Sequence, residues 1–439
     1  VIGRVAWLLA RPGTTGLTAS ALPVVAFAIV TALLLAVLGG AQTFWTWTDD
    51  WAVTYQALAV IALVLLVVPL ASLGGAAARL SARRRDDRLA TLRLLGATPA
   101  TVSALAVIES AVLAAAGAVV GVVLYAALVP ALALIPFRGE ALGIEGVLLG
   151  WAALVGVPVG VVLLAVVSAV LGLRLVVISP LGVRTRQDAP RLHWLRAAVA
   201  VVVVALGAGL MAVLQVAASA LVILGMLAVA FGGALAVQNL VGPWVIRLVA
   251  RAQAGSAKTP AKLLAARAVL ESPKAAWRQV SGVAMTSFMA VFAGSGVAVL
   301  GSMGGGESDR ESELLIADIR TGILITVIGS FLMVACSVGV NQAAAILDRR
   351  DLYEALGRLG MPTSTTDAAR RRSVMSPLRI TAIGSALTAA IVMLPLTGIT
   401  LIVAPASLLV IAAVLAAGIG VVWLGLLATR PLLVRAAGA

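Results

Sequence analysis

Few side chains in this sequence are equipped for covalent or metal chemistry. His193 is the only histidine and Cys336 the only cysteine. A metal cluster or a histidine-assisted nucleophile therefore lacks partners within the chain, and no intrachain disulfide can form. The nearest string to a phosphate-cradling loop, GSAKTP at 255–260, lacks the required Gly-Lys pair. Glu109 is a carboxylate inside an apolar run, where a charge is costly; it marks function, pairing, or a shallow position that meets water. What remains are two clusters of arginine and aspartate, each followed by Leu-Gly and a nearby proline: RRRDDRLATLRLLGATP (83–99) and DRRDLYEALGRLGMP (348–362). Arg85 pairs with Arg349, Asp87 with Asp351, Leu92 with Leu356, Leu95 with Leu359, and Gly96 with Gly360. Repeated on each half of the chain, such a surface is what a two-fold soluble partner would need.

The elements that position these clusters follow from local chemistry. Residues 79–95 contain good helix formers and no Gly or Pro, with leucines at 80, 89, 92 and 95 against arginine and aspartate. This predicts an amphipathic helix leaving the bilayer. Gly96 stands where a left-handed C-terminal cap is wanted. Thr98 offers an N-cap oxygen and Pro99 suits a first helical position. In the second copy, Gly360 ends a helix expected to run through 348–359, and Pro362 breaks the chain. Ser364 with Asp367 three residues on resembles a capping box, and Arg370, Arg371 and Arg372 mark the return towards the membrane.

The rest of the chain explains why such elbows are needed. It has 439 residues, is 62% hydrophobic and only 11% charged; a soluble domain carries roughly twice that charge fraction. Apolar runs long enough to cross a bilayer as helix recur throughout. Spans are predicted near 18–40, 52–76, 101–130, 147–173, 197–215, 219–243, 279–303, 320–345, 378–397 and 402–429. The fold class is all-α, a polytopic membrane protein of about ten helices. The first span is expected to be retained rather than cleaved. Of the 32 basic residues, only Arg138, Arg310 and Arg320 fall outside when the N-terminus is cytoplasmic. The positive-inside rule thus places both termini in the cytoplasm of a bacterial cell membrane. The net charge of +14 is then a topology signal and an anchor to anionic lipid, not a nucleic-acid footprint.

Both clusters lie between an inward-running and an outward-running span. The expected organisation is a first four-helix unit (1–173), a connector with two helices (174–278), and a second four-helix unit (279–439). Parallel repeats of this kind imply a pseudo-two-fold axis along the membrane normal. Within the connector, the segment 244–278, which contains PAKLLAARAVLESPKAAWRQ, predicts an amphipathic surface helix, with Leu263, Leu264, Ala266 and Leu270 against Lys262, Arg267 and Lys274. Trp45, Trp47 and Trp51 fit an outer aromatic belt or a substrate clamp. Asn239, Asn341 and Gln342 are expected to bond between helices, and the Gly117/Gly121 and Gly156/Gly160 spacings to allow close packing.

The stretch 83–121 resembles the core of FtsX/MacB-type ABC transporter permeases: a basic-acidic helix, a Leu-Gly-Ala turn, then a span with an early Glu and a Gly-rich continuation. Arg88, Leu92, Leu95, Gly96, Ala97 and Glu109 occupy matching positions. The resemblance covers about 52–173 well and about 320–429 more weakly, with Met361 in place of Ala97 and Ser373 in place of Glu109. Two such cores in one chain resemble the ten-helix BceB-like arrangement without its large external domain. The resemblance implies a permease subunit that hydrolyses nothing itself. A separate ATPase, expected as a homodimer binding ATP and Mg, would dock on the elbows through Arg85, Asp87, Arg88, Leu92, Leu95 and Gly96 and through Arg349, Asp351, Leu356, Leu359 and Gly360. Its closure would drive export or extraction of a hydrophobic or amphipathic substrate. The alternatives are mechanical regulation of a partner without transport, and ion-driven secondary transport, which predicts more intramembrane carboxylates than Glu109 alone.

Overall fold

Long runs of alanine, valine and leucine leave the backbone few ways to satisfy its polar groups in lipid, and an α-helix is the simplest. The computed structural model describes residues 17–49, 51–66, 98–177, 220–303, 310–394 and 405–431, with positions 73, 198, 201, 202, 204–207, 209, 397, 398, 402 and 433 besides. Among the described residues, eight helices are long and apolar enough to cross a membrane. The protein is an all-α polytopic membrane protein. Of the remaining expected spans, 52–76 is described as helix only over Ala52–Leu66, and 197–215 lies largely outside the described residues. The chain divides into two compact units, residues 1–186 with 339–345 and residues 187–338 with 346–439.

In the first unit, α1 (Leu17–Gln42) leads through a 3-10 turn (Thr43–Trp45) to α2 (Ala52–Leu66). Then come α3 (Pro99–Ala133), a hairpin of β1 (Pro136–Phe137) and β2 (Glu140–Ala141), the short α4 (Gly143–Val147), and α5 (Trp151–Val177). Helix α3 packs on α1 and on α5. Small residues decide the first contact: a methyl group on Gly117 would lie 2.7 Å from the Val24 carbonyl oxygen, and one on Gly121 2.6 Å from that of Ala28. The Gly117/Gly121 spacing therefore does what such spacing permits. The identical spacing at Gly156 and Gly160 faces open space, with nothing within 4 Å among the described residues.

The same unit is tied at the end opposite Pro99. The Tyr125 hydroxyl donates to the Val147 carbonyl (2.6 Å) and accepts from the Leu149 N–H (3.2 Å). Gln42 Nε2 donates to the carbonyls of Gly146 (3.0 Å) and Leu148 (2.9 Å). Arg138, at φ 54°, holds its guanidinium 3.8 Å from the Trp47 ring centre and 4.6 Å from that of Tyr55. It also reaches Asp49 Oδ2 at 3.0 Å. Partial desolvation opposes the Asp49 charge, but the hydrogen bond and charge of Arg138, with help from backbone N–H groups, outweigh it and hold the carboxyl below its ordinary value. Trp47 is thus absorbed into an internal cation–π stack, whereas Trp45 and Trp51 remain exposed as a belt would require.

The second unit contains α6 (Ala220–Gly255), α7 (Pro260–Glu271), α8 (Pro273–Met303), α9 (Arg310–Asp348) apart from its residues 339–345, α10 (Arg350–Arg358), α11 (Thr363–Val392) and α12 (Pro405–Ala428). Helix α8 packs on α6, α11 and α12. Its Phe288 and Phe292 interlock with Phe231 of α6 at ring separations of 5.3 and 5.5 Å. Trp277 Nε1 donates to Asn239 Oδ1 at 2.9 Å, as expected for Asn239, and its ring lies directly over Gly242, where a methyl group would collide. Buried Ser385 of α11 donates to Gln238 Oε1 of α6 at 2.8 Å, a bond the sequence did not single out. Helix α7 forms where amphipathicity predicts it, but its buried face is Ala261, Ala265, Ala266 and Val269. Small side chains let it lie close on α6 and α11, and Leu263 and Leu264 point outward beside Lys262 and Arg267.

Candidate functional site

The second elbow is built from a broken helix and a tightly capped one. The expected continuous helix over 348–359 is interrupted. Helix α9 ends at Asp348, Arg349 turns at φ −112° and ψ 22°, and α10 begins at Arg350. The Arg349 guanidinium stands 3.6 Å from Glu271 at the end of α7, an ion pair between exposed side chains that adds little to stability. At its other end Gly360 adopts φ 80°. The Gly360 N–H donates to the Gly357 carbonyl (2.9 Å) and the Met361 N–H to the Leu356 carbonyl (3.0 Å). This pair of bonds is the Schellman cap, which requires a left-handed residue and strongly favours glycine. Beyond its chain neighbours, no atom of the described residues lies within 4 Å of where a Gly360 side chain would begin, so the requirement for glycine here is one of backbone conformation, not space.

The chain then reverses into α11 differently from the expected capping box. Pro362, extended at φ −60° and ψ 135°, is the N-cap, and no side chain caps the helix. Its carbonyl accepts from the N–H groups of Thr365 (2.9 Å) and Thr366 (3.3 Å). Ser364 is exposed. Asp367 is drawn elsewhere: its Oδ1 accepts from Arg370 Nη2 at 3.0 Å, and its Oδ2 lies 3.1 Å from Arg371 Nε and 3.9 Å from Arg430 Nε. Arg370 also donates from Nη1 to Thr429 Oγ1 (2.6 Å) and from Nη2 to the Leu426 carbonyl (3.3 Å). The side chains of Asp367 and Arg370 are only 6% and 4% exposed. The root of the elbow is therefore clamped to the C-terminal end of α12 by a buried, multiply hydrogen-bonded ion pair. A buried charge is tolerated only in such company.

Tyr353 joins α10 to the same root by packing against Ile346 and Leu433. Burial pushes its phenol pKa up; the Arg349 and Arg370 charges partly oppose that rise, and Asp367 adds to it. Opposite this anchored residue the elbow is apolar and uncovered. Leu352 is 49% exposed and Leu359, at the tip, 83% exposed. Of the predicted set, Arg349, Leu356, Leu359 and Gly360 thus sit on one capped elbow, with Leu356 half-buried; Asp351 belongs to α10. Leu352, Tyr353 and the Asp367–Arg370–Thr429 clamp were not anticipated. The Arg-Asp spacing of a helix signals nothing about partners sixty residues away.

The first elbow's residues Arg85, Asp87, Arg88, Leu92, Leu95 and Gly96 lie outside the described residues. Its exit is described and matches expectation: Thr98 at ψ 150° is the N-cap of α3, its Oγ1 accepts from the Thr101 N–H at 3.3 Å, and Pro99 follows at the first helical position. Glu109 is half-buried on α3, about 15 Å along the helix from Pro99 at 1.5 Å per residue. It falls near the start of the apolar span Val107–Ala133.

Residues 59–181 match the FtsX-like permease C-terminal family. This stretch is similar to an FtsX-like permease domain. It takes in part of α2, the whole of α3 to α5, Glu109, and the sequence of the first elbow. The FtsX-like family is one of ABC-transporter-type membrane permeases. A comparison of the chain with curated proteins finds no match.

Proposed function

We propose that this chain is the membrane subunit of an ABC transporter, embedded in a bacterial cell membrane with both termini in the cytoplasm. It couples ATP hydrolysis by a separate ATPase, expected as a homodimer, to export or extraction of a hydrophobic or amphipathic substrate. The carrying observation is the second elbow: an exposed Leu352–Leu359 face on a Schellman-capped turn whose root is locked to α12. Leaving a leucine in water forgoes roughly 1.5–3 kcal/mol of burial, which a docked partner would recover. A rigid root means that displacement of the tip becomes displacement of α11 as a body. The first elbow, in the FtsX-like domain, is proposed to serve the same ATPase from the other half of the chain, through a pseudo-two-fold arrangement.

Gly360 supplies the test. Because its site is sterically open, Gly360→Val strains only the backbone, by about 1–2 kcal/mol or more for a branched residue, whereas Gly360→Asn is accommodated in the left-handed region. In complexes purified from native membranes, Gly360→Val should reduce ATPase activity attributable to the complex several-fold, and Gly360→Asn should retain most of it. Equal activity in both variants would remove this elbow from the coupling. Robust ATP hydrolysis by the isolated chain would contradict the reading as a whole.

A further inference from the structure

A basic cavity of about 450 Å³ opens between the end of α6, the first half of α11, and α12. Its lining includes Arg371, Arg372, Ser376 and Arg379 of α11, Gln253 of α6 and Trp423 of α12. The charges in it are unequal. Arg371 shares the Asp367 carboxylate with Arg370. No acidic side chain among the described residues pairs with Arg372 or Arg379, and both are exposed. Ser376 donates to Gln253 Oε1 at 2.9 Å, which orients that amide and points its nitrogen donors away from Ser376. The cavity thus gathers two guanidiniums that no acidic side chain among the described residues offsets, beside the polar side chains of Ser376 and Gln253. Guanidinium groups in such a setting suit the oxygens of a phosphate.

What lies beyond the cavity specifies the phosphate further. Arg372, Ser376 and Arg379 continue along one face of α11 into Ile383, Leu387 and Ile391, at helical spacings of three and four residues. These three are 60%, 59% and 51% exposed, and they lie in the span Thr363–Val392. From Arg379 to Ile391 the helix rises about 18 Å, close to the roughly 15 Å depth of one leaflet's hydrocarbon. Trp423, 42% exposed at the cavity wall, is followed by Leu424 at 58%; an indole at the boundary between polar and apolar surface is the usual interfacial arrangement.

We infer that this cavity binds the phosphate headgroup of an anionic phospholipid from the leaflet on the side of the elbows, with an acyl chain lying along Ile383, Leu387 and Ile391. A free phosphate would fill the cation pair but make no use of the apolar track. A zwitterionic lipid would bring its own cation against Arg372 and Arg379 and lose the electrostatic preference. The site is separate from the exposed leucines of the elbow and does not depend on the coupling role proposed for them.

The test is native mass spectrometry of the full chain, released from detergent after equilibration with phosphatidylglycerol, phosphatidylcholine or inorganic phosphate at equal concentrations. One retained phosphatidylglycerol per chain is expected, with apparent affinity at least tenfold above that for phosphatidylcholine. Arg372→Gln combined with Arg379→Gln should remove that preference. Arg267→Gln combined with Lys274→Gln, which deletes two exposed charges elsewhere, should leave it intact. Both pairs are exposed, and gel filtration of each variant checks that it remains folded. Equal retention of both lipids, a phosphate adduct as persistent as the lipid, or equal loss in both double variants would overturn the proposal; so would a selective adduct with acidic peptide added in competition.

Discussion

At the scale of the residue, Asp367 carries the most structural responsibility for its size. One carboxylate lies against three guanidiniums, and through Arg370 it joins α11 to Leu426 in the last turn of α12 and to Thr429 just after it. Removing it would leave Arg370 buried with an uncompensated charge, a change that typically costs about 3–5 kcal/mol. Asp367→Ala is therefore expected to lower the thermal midpoint of the detergent-solubilised protein markedly, while Ser364→Ala, the other half of the expected capping box, leaves it unchanged. Equal behaviour of the two variants would return Asp367 to a capping role. The sequence made Asp367 legible as important and misassigned its partners. A capping box is a four-residue pattern, whereas Thr429 and Arg430 become neighbours only when α11 and α12 pack.

Among the elements, glycine shows how far spacing alone can be read. Gly117 and Gly121 share their pattern with Gly156 and Gly160, yet only the first pair meets a neighbouring helix closely. Which face of a helix finds a partner is set by tertiary packing, and the four-residue spacing contains no record of it. Gly121→Leu should wedge α1 from α3, lowering the yield of folded protein and its thermal midpoint, because overpacking a tight contact costs typically 1–3 kcal/mol or more. Gly160→Leu, facing open space, should cost little by the same assay. The caps were more legible. Thr98-Pro99 and Gly360 carry local conformational requirements that no distant contact needs to supply, and all three appear where expected. The break at Arg349 was not legible, since no Gly or Pro marks it, and Glu271, its ion-pair partner, lies far from it in sequence.

For the whole molecule, hydropathy was enough to identify a polytopic helical membrane protein, because lipid permits so few ways of satisfying a backbone. The similarity of residues 59–181 to FtsX-like permeases was readable from the Leu-Gly-Ala turn and the Gly-rich span behind it. In the second half the leucine-faced elbow and its buried clamp are seen directly. Transmission to an ATPase is the central claim, and photo-crosslinking in living cells from position 359 tests it most directly, with position 387 on the exposed apolar face of α11 as the comparison. A covalent adduct to a P-loop ATPase is expected from Leu359 and not from Leu387. No ATPase adduct from Leu359, or the same adduct from both positions, would contradict docking through this elbow.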